Sequence, residues 1–213
     1  MYRLVFPQWL PPAARPQLQP GRIDIWRIDL TSAVPGLPDA PTPAAAQRDA
    51  ARCAMRRILG DYLDVPDNAL RIDTHPGGKP FLVTPRRALE FNLSHSRDIA
   101  LLAVATGCAV GIDVESDREI DDPLRLARRV MSDEETTQLA ALPAARRSEL
   151  FLDLWTRMEA RQKAVGRGIF AGPADPNLLS SFGFRPGERF YACLAVSPAS
   201  PQLTLRFFDF GRL

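Results

Sequence analysis

AVGIDVE, residues 109–115, stands between two parts of the chain with different patterning. Before it, from about residue 69, short apolar runs with a period near two alternate with turn residues and predict a series of strands. After it, residues 121–166 carry mostly helical spacing, with Ser132 capping one helix and Pro143 preceding the next. The sequence therefore predicts a strand region followed by about three helices.

The outer parts of the chain repeat this order of elements. RIDIWRIDL, residues 22–30, alternates as a half-buried strand does, and Thr42 with Pro43 predicts the start of a helix. The C-terminal part returns to strands in FGFRP, RFYACLAV and QLTLRFFDF. We therefore expect an α+β fold of two pseudo-equivalent lobes, residues 1–106 and 107–213, each a small sheet packed with helices.

The bulk composition argues against several classes of protein. Of 213 residues 46% are hydrophobic, and the net charge of +2 is dispersed, so neither bulk nucleic-acid binding nor a membrane span is indicated. Prolines at positions 7, 11 and 12 interrupt the N-terminal apolar stretch, which lacks the form of a signal peptide. Three cysteines, an odd number, argue against a disulfide framework. We expect a cytoplasmic protein.

The first candidate site is the pair of carboxylates in GIDVE, residues 111–115. Asp113 and Glu115 are two apart on a strand, so both side chains point to the same side. Hard oxygen ligands arranged in this way suit Mg²⁺ or Mn²⁺ together with the phosphates of a ligand. The alternative is an ordinary polar alternation at an exposed strand end.

The second candidate site lies on the helical stretch LFLDLWTRMEARQKAVGRGI, residues 150–169. Glu159 and Lys163 are four apart and share a face, although such a pair is often a solvated surface pair. Met158 falls on the neighbouring apolar face and is interpreted as a core residue. Gly166 ends the helix, and the basic turn that follows, with Arg167 and Gly168, is able to approach a phosphate.

Two further segments carry polar residues at predicted strand ends. FNLSHS, residues 91–96, pairs Ser94 with His95, but neighbours on a strand point to opposite faces and no Gly-x-Ser-x-Gly elbow is present, so a hydrolase is disfavoured. His95 is a candidate donor to an anion, or else a packed turn histidine. THPGGKP, residues 74–80, places Lys79 after a Gly-Gly turn without the Walker spacing. On the first helix, basic residues form a stripe at positions 48, 52 and 56.

The ordered series GGKP, FNLSHS, GIDVE and WTxxEAxxKxxGxG resembles the Sfp-type 4′-phosphopantetheinyl transferases. The resemblance runs from RRILGD, ending at Asp61, to the Gly-Arg-Gly turn. It implies a two-lobed α+β fold with coenzyme A in the cleft. It also implies cation ligands that grip the coenzyme A pyrophosphate, and these are Asp113, Glu115 and Glu159. Residues implied to bind coenzyme A are Arg56, Lys79, Ser94, His95 and Lys163.

The resemblance further implies the reaction and its partners. A serine of an acyl, polyketide or peptidyl carrier protein would attack coenzyme A and release 3′,5′-adenosine diphosphate, with Asp113, Glu159 and Lys163 as the catalytic residues and Mg²⁺ or Mn²⁺ as the cofactor. Glu159, or a water held by the metal and a carboxylate, would accept the serine proton. Glu135 in MSDEE would lie near the metal. We expect a monomer that binds neither nucleic acid nor membrane.

One departure from the family pattern leaves alternatives open. Met158 stands where the family usually has a lysine, and Arg157 or Arg161 is a candidate replacement. The first alternative is a coenzyme A-binding homologue with weakened turnover. The others are an interaction protein with a solvated acidic surface, which would show no cation-dependent binding of coenzyme A, and a metal-dependent phosphohydrolase, which would act without a carrier.

Overall fold

The computed structural model describes residues 5–12, 16–31, 43–85, 89–166, 175–199 and 202–212. These residues form nine strands and four α-helices. The strands are β1 (Arg22–Asp29), β2 (Arg71–Thr74), β3 (Pro80–Thr84), β4 (Glu90–Ser96), β5 (Ile99–Ala105), β6 (Ala109–Ser116), β7 (Ser180–Phe184), β8 (Phe190–Ser197) and β9 (Thr204–Arg212). The helices are α1 (Pro43–Leu63), α2 (Pro123–Val130), α3 (Asp133–Ala140) and α4 (Ala144–Ala164).

The strands form two main sheets and a small hairpin. The first sheet has the order β4-β5-β1-β9, the second has the order β6-β8-β7, and β2 pairs with β3. The inner faces of the two main sheets pack on each other through Ile23, Ile25 and Leu101 on one side and Ile112, Leu194 and Val196 on the other. Helix α1 packs against the outer face of the first sheet, and α4 packs against β6 and β8 of the second. The α+β prediction is therefore confirmed.

The last strand lies in a different sheet from the rest of the C-terminal half. β9 runs parallel to β1 in the first sheet, although the sequence analysis assigns it to the lobe of residues 107–213. The physical reason is that β9 buries both of its faces: Phe208 stacks on Trp26 at 4.8 Å, and Phe207 packs between the sheets. Arg206 also donates to the fully buried Asp24 at 2.7 and 2.6 Å, which pairs a charge that would otherwise be costly.

Most of the predicted elements are confirmed, including all three helices after β6. Ser132 caps α3, and Glu135 completes a capping box with it. Two expectations, Thr42 as a helix cap and the basic turn at Arg167 and Gly168, lie outside the described residues. Within the part of the chain that is described, no helix has the length and apolar character needed to cross a membrane.

The N-terminal segment joins the edges of the two main sheets. Val5 forms a parallel bridge with Phe184 of β7, and Leu10 forms one with Phe208 of β9. The backbone of Leu10 makes hydrogen bonds to β9 in both directions, at 2.9 and 2.8 Å. This segment, for which the sequence offered no motif, therefore fixes one sheet edge to the other.

Candidate active site

Gly111 brings helix α4 into direct contact with strand β6. A Cβ atom at this position would overlap the carbonyl oxygen of Ala160 and the amide nitrogen of Ala164, and would lie 2.9 Å from the Ala164 Cα atom. Only glycine therefore permits the backbone of α4 to lie on this strand. Because Asp113 follows Gly111 on the same face of β6, the close approach places the helical residues Glu159 and Lys163 beside that carboxylate.

Alternate side chains of β4 connect the first sheet to β6. The Oδ1 atom of Asn92 accepts the backbone N–H of Ile112 at 2.9 Å, and the Oγ atom of Ser96 accepts the backbone N–H of Ser116 at 3.0 Å. Between them, the hydroxyl of Ser94 donates to Asp113 Oδ1 at 2.9 Å. These three polar residues of FNLSHS therefore replace the backbone ladder that β4 and β6 do not form.

Lys163 lies at the centre of the predicted catalytic cluster. Its Nζ atom is 2.5 Å from Asp113 Oδ1, 3.3 Å from Glu159 Oε2 and 3.2 Å from Ser94 Oγ. The helical pairing of Glu159 with Lys163 is thus confirmed, and the strand carboxylate is brought to it from 50 residues away. The structure assembles four of the predicted residues in one place.

Burial strongly affects the charges in this cluster. Asp113 is 2% exposed, and this burial raises its pKa above the ordinary value, opposed by Lys163 and assisted by Glu159. Burial alone would lower the pKa of Lys163, but Asp113 and Glu159 hold that pKa above its usual range. The lysine therefore stays protonated and compensates a carboxylate that water cannot reach.

The carboxylates do not form a compact metal cluster in the described residues, but Asp113 keeps one oxygen atom that is a candidate ligand for a divalent cation. Among the described residues, no three acidic, histidine or cysteine side chains come close enough together to hold a metal ion. Lys163 instead contacts both Asp113 and Glu159, at 2.5 and 3.3 Å. Asp113 Oδ2 is nevertheless buried without a hydrogen-bond partner among those residues. A free hard oxygen beside a second carboxylate fits Mg²⁺ or Mn²⁺ if the flexible lysine moves toward a phosphate.

The other acidic candidates have local partners. Glu115 Oε2 accepts from Arg118 at 2.6 Å, so its place in the metal set stays a prediction. Glu135, which the resemblance implied to be near the metal, uses its carboxylate to accept from Ser132 N at 3.1 Å in the capping box. The structure thus gives Glu135 a role in capping the start of α3.

Neither arginine proposed as a replacement at Met158 faces the cluster. Arg157 is buried and pairs with Asp153 at 3.1 Å, while Arg161 donates to Ser181 of β7 at 3.0 Å. Arg161 is thus directed toward the second sheet and Arg157 toward an acidic residue of its own helix, and the suggestion that either takes over a phosphate contact stays a prediction. Met158 itself is 8% exposed, as predicted for a core position.

Two adjoining cavities extend from the cluster along the first lobe. The smaller cavity, of about 230 Å³, is lined by Glu159, Lys163, Lys79 and Asn92. The larger cavity, of about 490 Å³, is lined by the basic stripe of α1 and by His95. Both cavities are bounded by Gly78, Pro80 and Leu93, so they adjoin, and the pair is called the groove below.

The larger cavity contains residues to which the sequence analysis gave no binding role. Arg48 and Arg52 line it beside Arg56. The Nη2 atom of Arg56 donates hydrogen bonds to the backbone carbonyls of Asp67 and Leu70, at 2.7 and 2.6 Å. The spacing of four residues between these arginines in the sequence is the pattern that places all three on one face of α1. Burial and the positive charges of Arg48, Lys163 and Arg52 lower the pKa of His95.

Lys79 is also placed in the groove, on the side of the smaller cavity. Its Nζ atom donates to Glu90 at 3.2 Å and to the carbonyl of Ala164, at the end of α4, at 3.4 Å. The GGKP turn thus reaches across to the helix that carries Glu159 and Lys163. Lys79 lines the cavity that contains Glu159 and Lys163 and does not line the one that contains the basic stripe.

Comparison with known proteins identifies relatives of this chain. A model of the 4′-phosphopantetheinyl transferase superfamily matches residues 109–200. The chain is 34% identical over 179 residues to the 4′-phosphopantetheinyl transferase HetI of Nostoc sp. (strain PCC 7120), with 76% of each chain covered. It is 36% identical to the transferase psf-1 of Bacillus pumilus, with 67% of this chain and 57% of the relative covered. It is 30% identical to Sfp of Bacillus subtilis, with 54% of each chain covered.

The matched region contains β6 with Asp113 and α4 with Glu159 and Lys163, the elements that build the cluster. The identity to HetI extends over three quarters of the chain. This chain therefore belongs to the 4′-phosphopantetheinyl transferase superfamily.

Proposed function

We propose that this protein transfers the 4′-phosphopantetheine group of coenzyme A to a serine of an acyl, polyketide or peptidyl carrier protein and releases 3′,5′-adenosine diphosphate. The observation that carries the proposal is the groove, in which a cluster of Asp113, Glu159 and Lys163 adjoins a basic cavity. A ligand with phosphates at two separated positions suits a site that has one group of cations in each cavity.

Free cysteines throughout the chain suit a reducing compartment.

The charges along the groove suggest how coenzyme A is oriented. The larger cavity, with Arg48, Arg52 and His95, would take the 3′-phosphate and the adenosine end, because arginine and histidine donate to phosphate oxygens. The smaller cavity, with Lys79 and Lys163, would take the pyrophosphate and the first part of the pantetheine arm. This orientation places the phosphate that is attacked next to Glu159.

In the proposed reaction the serine oxygen of the carrier forms a bond to the phosphorus on the pantetheine side. The bond from that phosphorus to the bridging oxygen breaks, and 3′,5′-adenosine diphosphate leaves with the electron pair. Glu159, or a water beside it, accepts the serine proton. Lys163 moves from Asp113 toward the phosphates and neutralises the charge that develops on their oxygens.

A divalent cation would be held by Asp113 and Glu159, with Glu115 completing the set once it leaves Arg118. The Oδ2 atom of Asp113, which is buried and has no hydrogen-bond partner in the described part of the chain, supports this assignment. Mg²⁺ or Mn²⁺ held by these residues would supply positive charge to the pyrophosphate. Asp113 would then have a cation beside it in place of the lysine, so its buried charge stays compensated throughout the cycle.

The stoichiometry of the released nucleotide tests the proposal. With apo carrier protein, coenzyme A and Mg²⁺, we expect one 3′,5′-adenosine diphosphate per carrier modified, measured by chromatography of the nucleotide and mass analysis of the carrier. Without carrier, we expect no release. Release at the same rate in the absence of carrier would instead identify a phosphohydrolase.

We predict that coenzyme A binding takes up a proton at His95. The pKa of His95 is lowered in the free protein, mainly by burial, and a bound phosphate would raise it. Affinity should therefore increase as the pH falls from about 8 to about 6.5, where the histidine gains its proton in the complex but not in the free protein. Calorimetry in buffers of different ionisation enthalpy measures the uptake.

The matched variant for this prediction is His95→Gln, which keeps a donor but does not titrate. It should bind coenzyme A without this proton uptake, and 3′-dephospho-coenzyme A should show less uptake than coenzyme A with the wild-type protein. Equal uptake in the wild type and in His95→Gln would show that another group titrates.

A second candidate function is a coenzyme A-binding homologue with weakened turnover. The observation in its favour is that Arg157 and Arg161, which could have replaced the missing lysine, are engaged with Asp153 and Ser181. Under this alternative, Met158→Lys should raise kcat by about ten-fold or more, because an added cation near a phosphate stabilises the transition state. It should also lower the melting temperature, because position 158 is buried.

Steady-state transfer to a carrier and thermal unfolding measure the two effects. Met158→Leu, which keeps the volume and adds no charge, is the control and should change neither by much. An unchanged or lower kcat in Met158→Lys, with the fold retained, would mean that Lys163 and Lys79 already supply the charge that the reaction needs.

A further inference from the structure

Asn92 is a buried polar residue that lines the smaller cavity and has no role in the reaction described so far. Its side chain is 4% exposed, and it lines the smaller cavity together with Glu159 and Lys163. It lies on β4, in the first sheet, whereas those two residues lie on α4. Asn92 therefore reaches the site from the opposite lobe.

The orientation of the Asn92 amide is set by the partner of its oxygen atom. The backbone N–H of Ile112 donates to the side-chain oxygen at 2.9 Å, so the oxygen must be Oδ1 and the other terminal atom must be the NH₂ group. Among the described residues, the Oδ1 atom is the only part of this side chain with a hydrogen-bond partner. The Nδ2 atom thus keeps both of its hydrogens for a ligand.

The Nδ2 atom is not one of the described side-chain atoms that are buried without a hydrogen-bond partner, so it opens onto the smaller cavity, where a ligand oxygen can accept its hydrogens. The nearest ligand atoms in the proposed orientation are the oxygens of the phosphate on the pantetheine side, since the same cavity contains the ammonium groups of Lys79 and Lys163. The two lysines attract phosphate oxygens as point charges, without a fixed geometry. The planar amide of Asn92 would add one hydrogen bond with a fixed direction.

From this geometry we infer that Asn92 is a substrate-binding residue. Its Oδ1 atom anchors strand β6 through Ile112, and its Nδ2 atom donates to the pantetheine-side phosphate of coenzyme A. The inference rests on the proposed function and adds a contact from the first lobe to the reacting phosphate. It also explains why an amide, with an acceptor at one end and a donor at the other, occupies this buried position.

The test compares two ligands and two positions on β4. Coenzyme A carries the pantetheine-side phosphate, and 3′,5′-adenosine diphosphate lacks it, so their affinities separate the two ends of the groove. Ser96→Ala is the matched control, because Ser96 also joins β4 to the backbone of β6 but does not line either cavity. Calorimetry gives both dissociation constants, and thermal unfolding gives the stability.

For Asn92→Ala we expect the dissociation constant of coenzyme A to rise about ten-fold or more, with that of 3′,5′-adenosine diphosphate changed by less than about three-fold. Ser96→Ala should leave the ratio of the two constants unchanged. Asn92→Asp keeps an oxygen for Ile112, so it should fold even if Asn92→Ala does not, and it too should bind coenzyme A selectively more weakly.

Three results would overturn the inference. Equal weakening of both ligands by Asn92→Ala, as in Ser96→Ala, would reduce Asn92 to a purely structural bridge between the strands. Normal coenzyme A binding by Asn92→Asp would exclude the donor role. If the wild-type protein bound 3′,5′-adenosine diphosphate but failed to bind coenzyme A, the proposed function would fail first, and the assignment of Asn92 would fail with it.

Discussion

Asp113→Asn is expected to abolish carrier modification without loss of the fold. The substitution removes a carboxylate that is 2% exposed and whose Oδ2 atom has no hydrogen-bond partner among the described residues. Transfer should fall on the order of 10²–10³-fold or more, because the charge that would bind a cation is gone. The free energy of unfolding should be unchanged or higher, because an amide is less costly to bury than a carboxylate.

Initial rates of carrier modification and chemical denaturation measure the two quantities. Asp209→Asn is the control, because Asp209 belongs to an ion pair with Arg27 on the far strand of the first sheet and lines neither cavity of the groove. It should keep its transfer activity. A large loss of stability in Asp113→Asn, with transfer retained, would show that Asp113 serves only to pair Lys163.

Gly111→Ala is expected to have the largest effect on structure. The new Cβ atom would overlap the backbone of α4 at Ala160 and Ala164, and backbone atoms cannot move aside as a flexible side chain can. The helix must therefore shift away from β6, which should cost at least about 2 kcal/mol of stability. Because the shift separates Lys163 from Asp113, transfer should be lost even where the variant remains folded.

Gly183→Ala offers a matched control in the same sheet. A Cβ atom there would meet its nearest neighbour, Asp153 Oδ1, at 3.6 Å, an ordinary contact distance. Urea denaturation should show a large loss in the free energy of unfolding for Gly111→Ala. For Gly183→Ala this free energy should change by no more than about 1 kcal/mol. Equal stability of the two variants would contradict the close packing of α4 on β6.

Local pattern was sufficient to predict most of the fold, because each element carries its own signal. The alternation in β1, the capping box at Ser132 and the helical spacing in α4 are properties of short segments. Local pattern does not predict which sheet β9 joins. Its partner β1 lies more than 170 residues earlier in the chain, and the choice depends on the pairing of Arg206 with the buried Asp24.

The candidate site shows the same limit. The spacing of Glu159 and Lys163 predicts their contact, and the resemblance adds Asp113, but Asn92 acts through a backbone N–H from the other sheet that no local pattern reveals. For two residues, the sequence itself supports a better interpretation than the one given. Ser-x-x-Glu at Glu135 is itself a capping signal, and Asp153 four residues before Arg157 predicts the ion pair that engages that arginine.

Intact-mass analysis of an apo carrier protein tests whether the cluster of Asp113, Glu159 and Lys163 performs phosphopantetheine transfer. The carrier is incubated with coenzyme A, Mg²⁺ and either the wild-type protein, Glu159→Gln, or Glu149→Gln, whose carboxylate pairs with Arg146 near the start of the same helix. We predict a gain of one phosphopantetheine mass with the wild type and Glu149→Gln, and no gain with Glu159→Gln or with EDTA. Unmodified carriers of several kinds, in the presence of confirmed coenzyme A binding, would contradict the assignment of this protein as an active transferase.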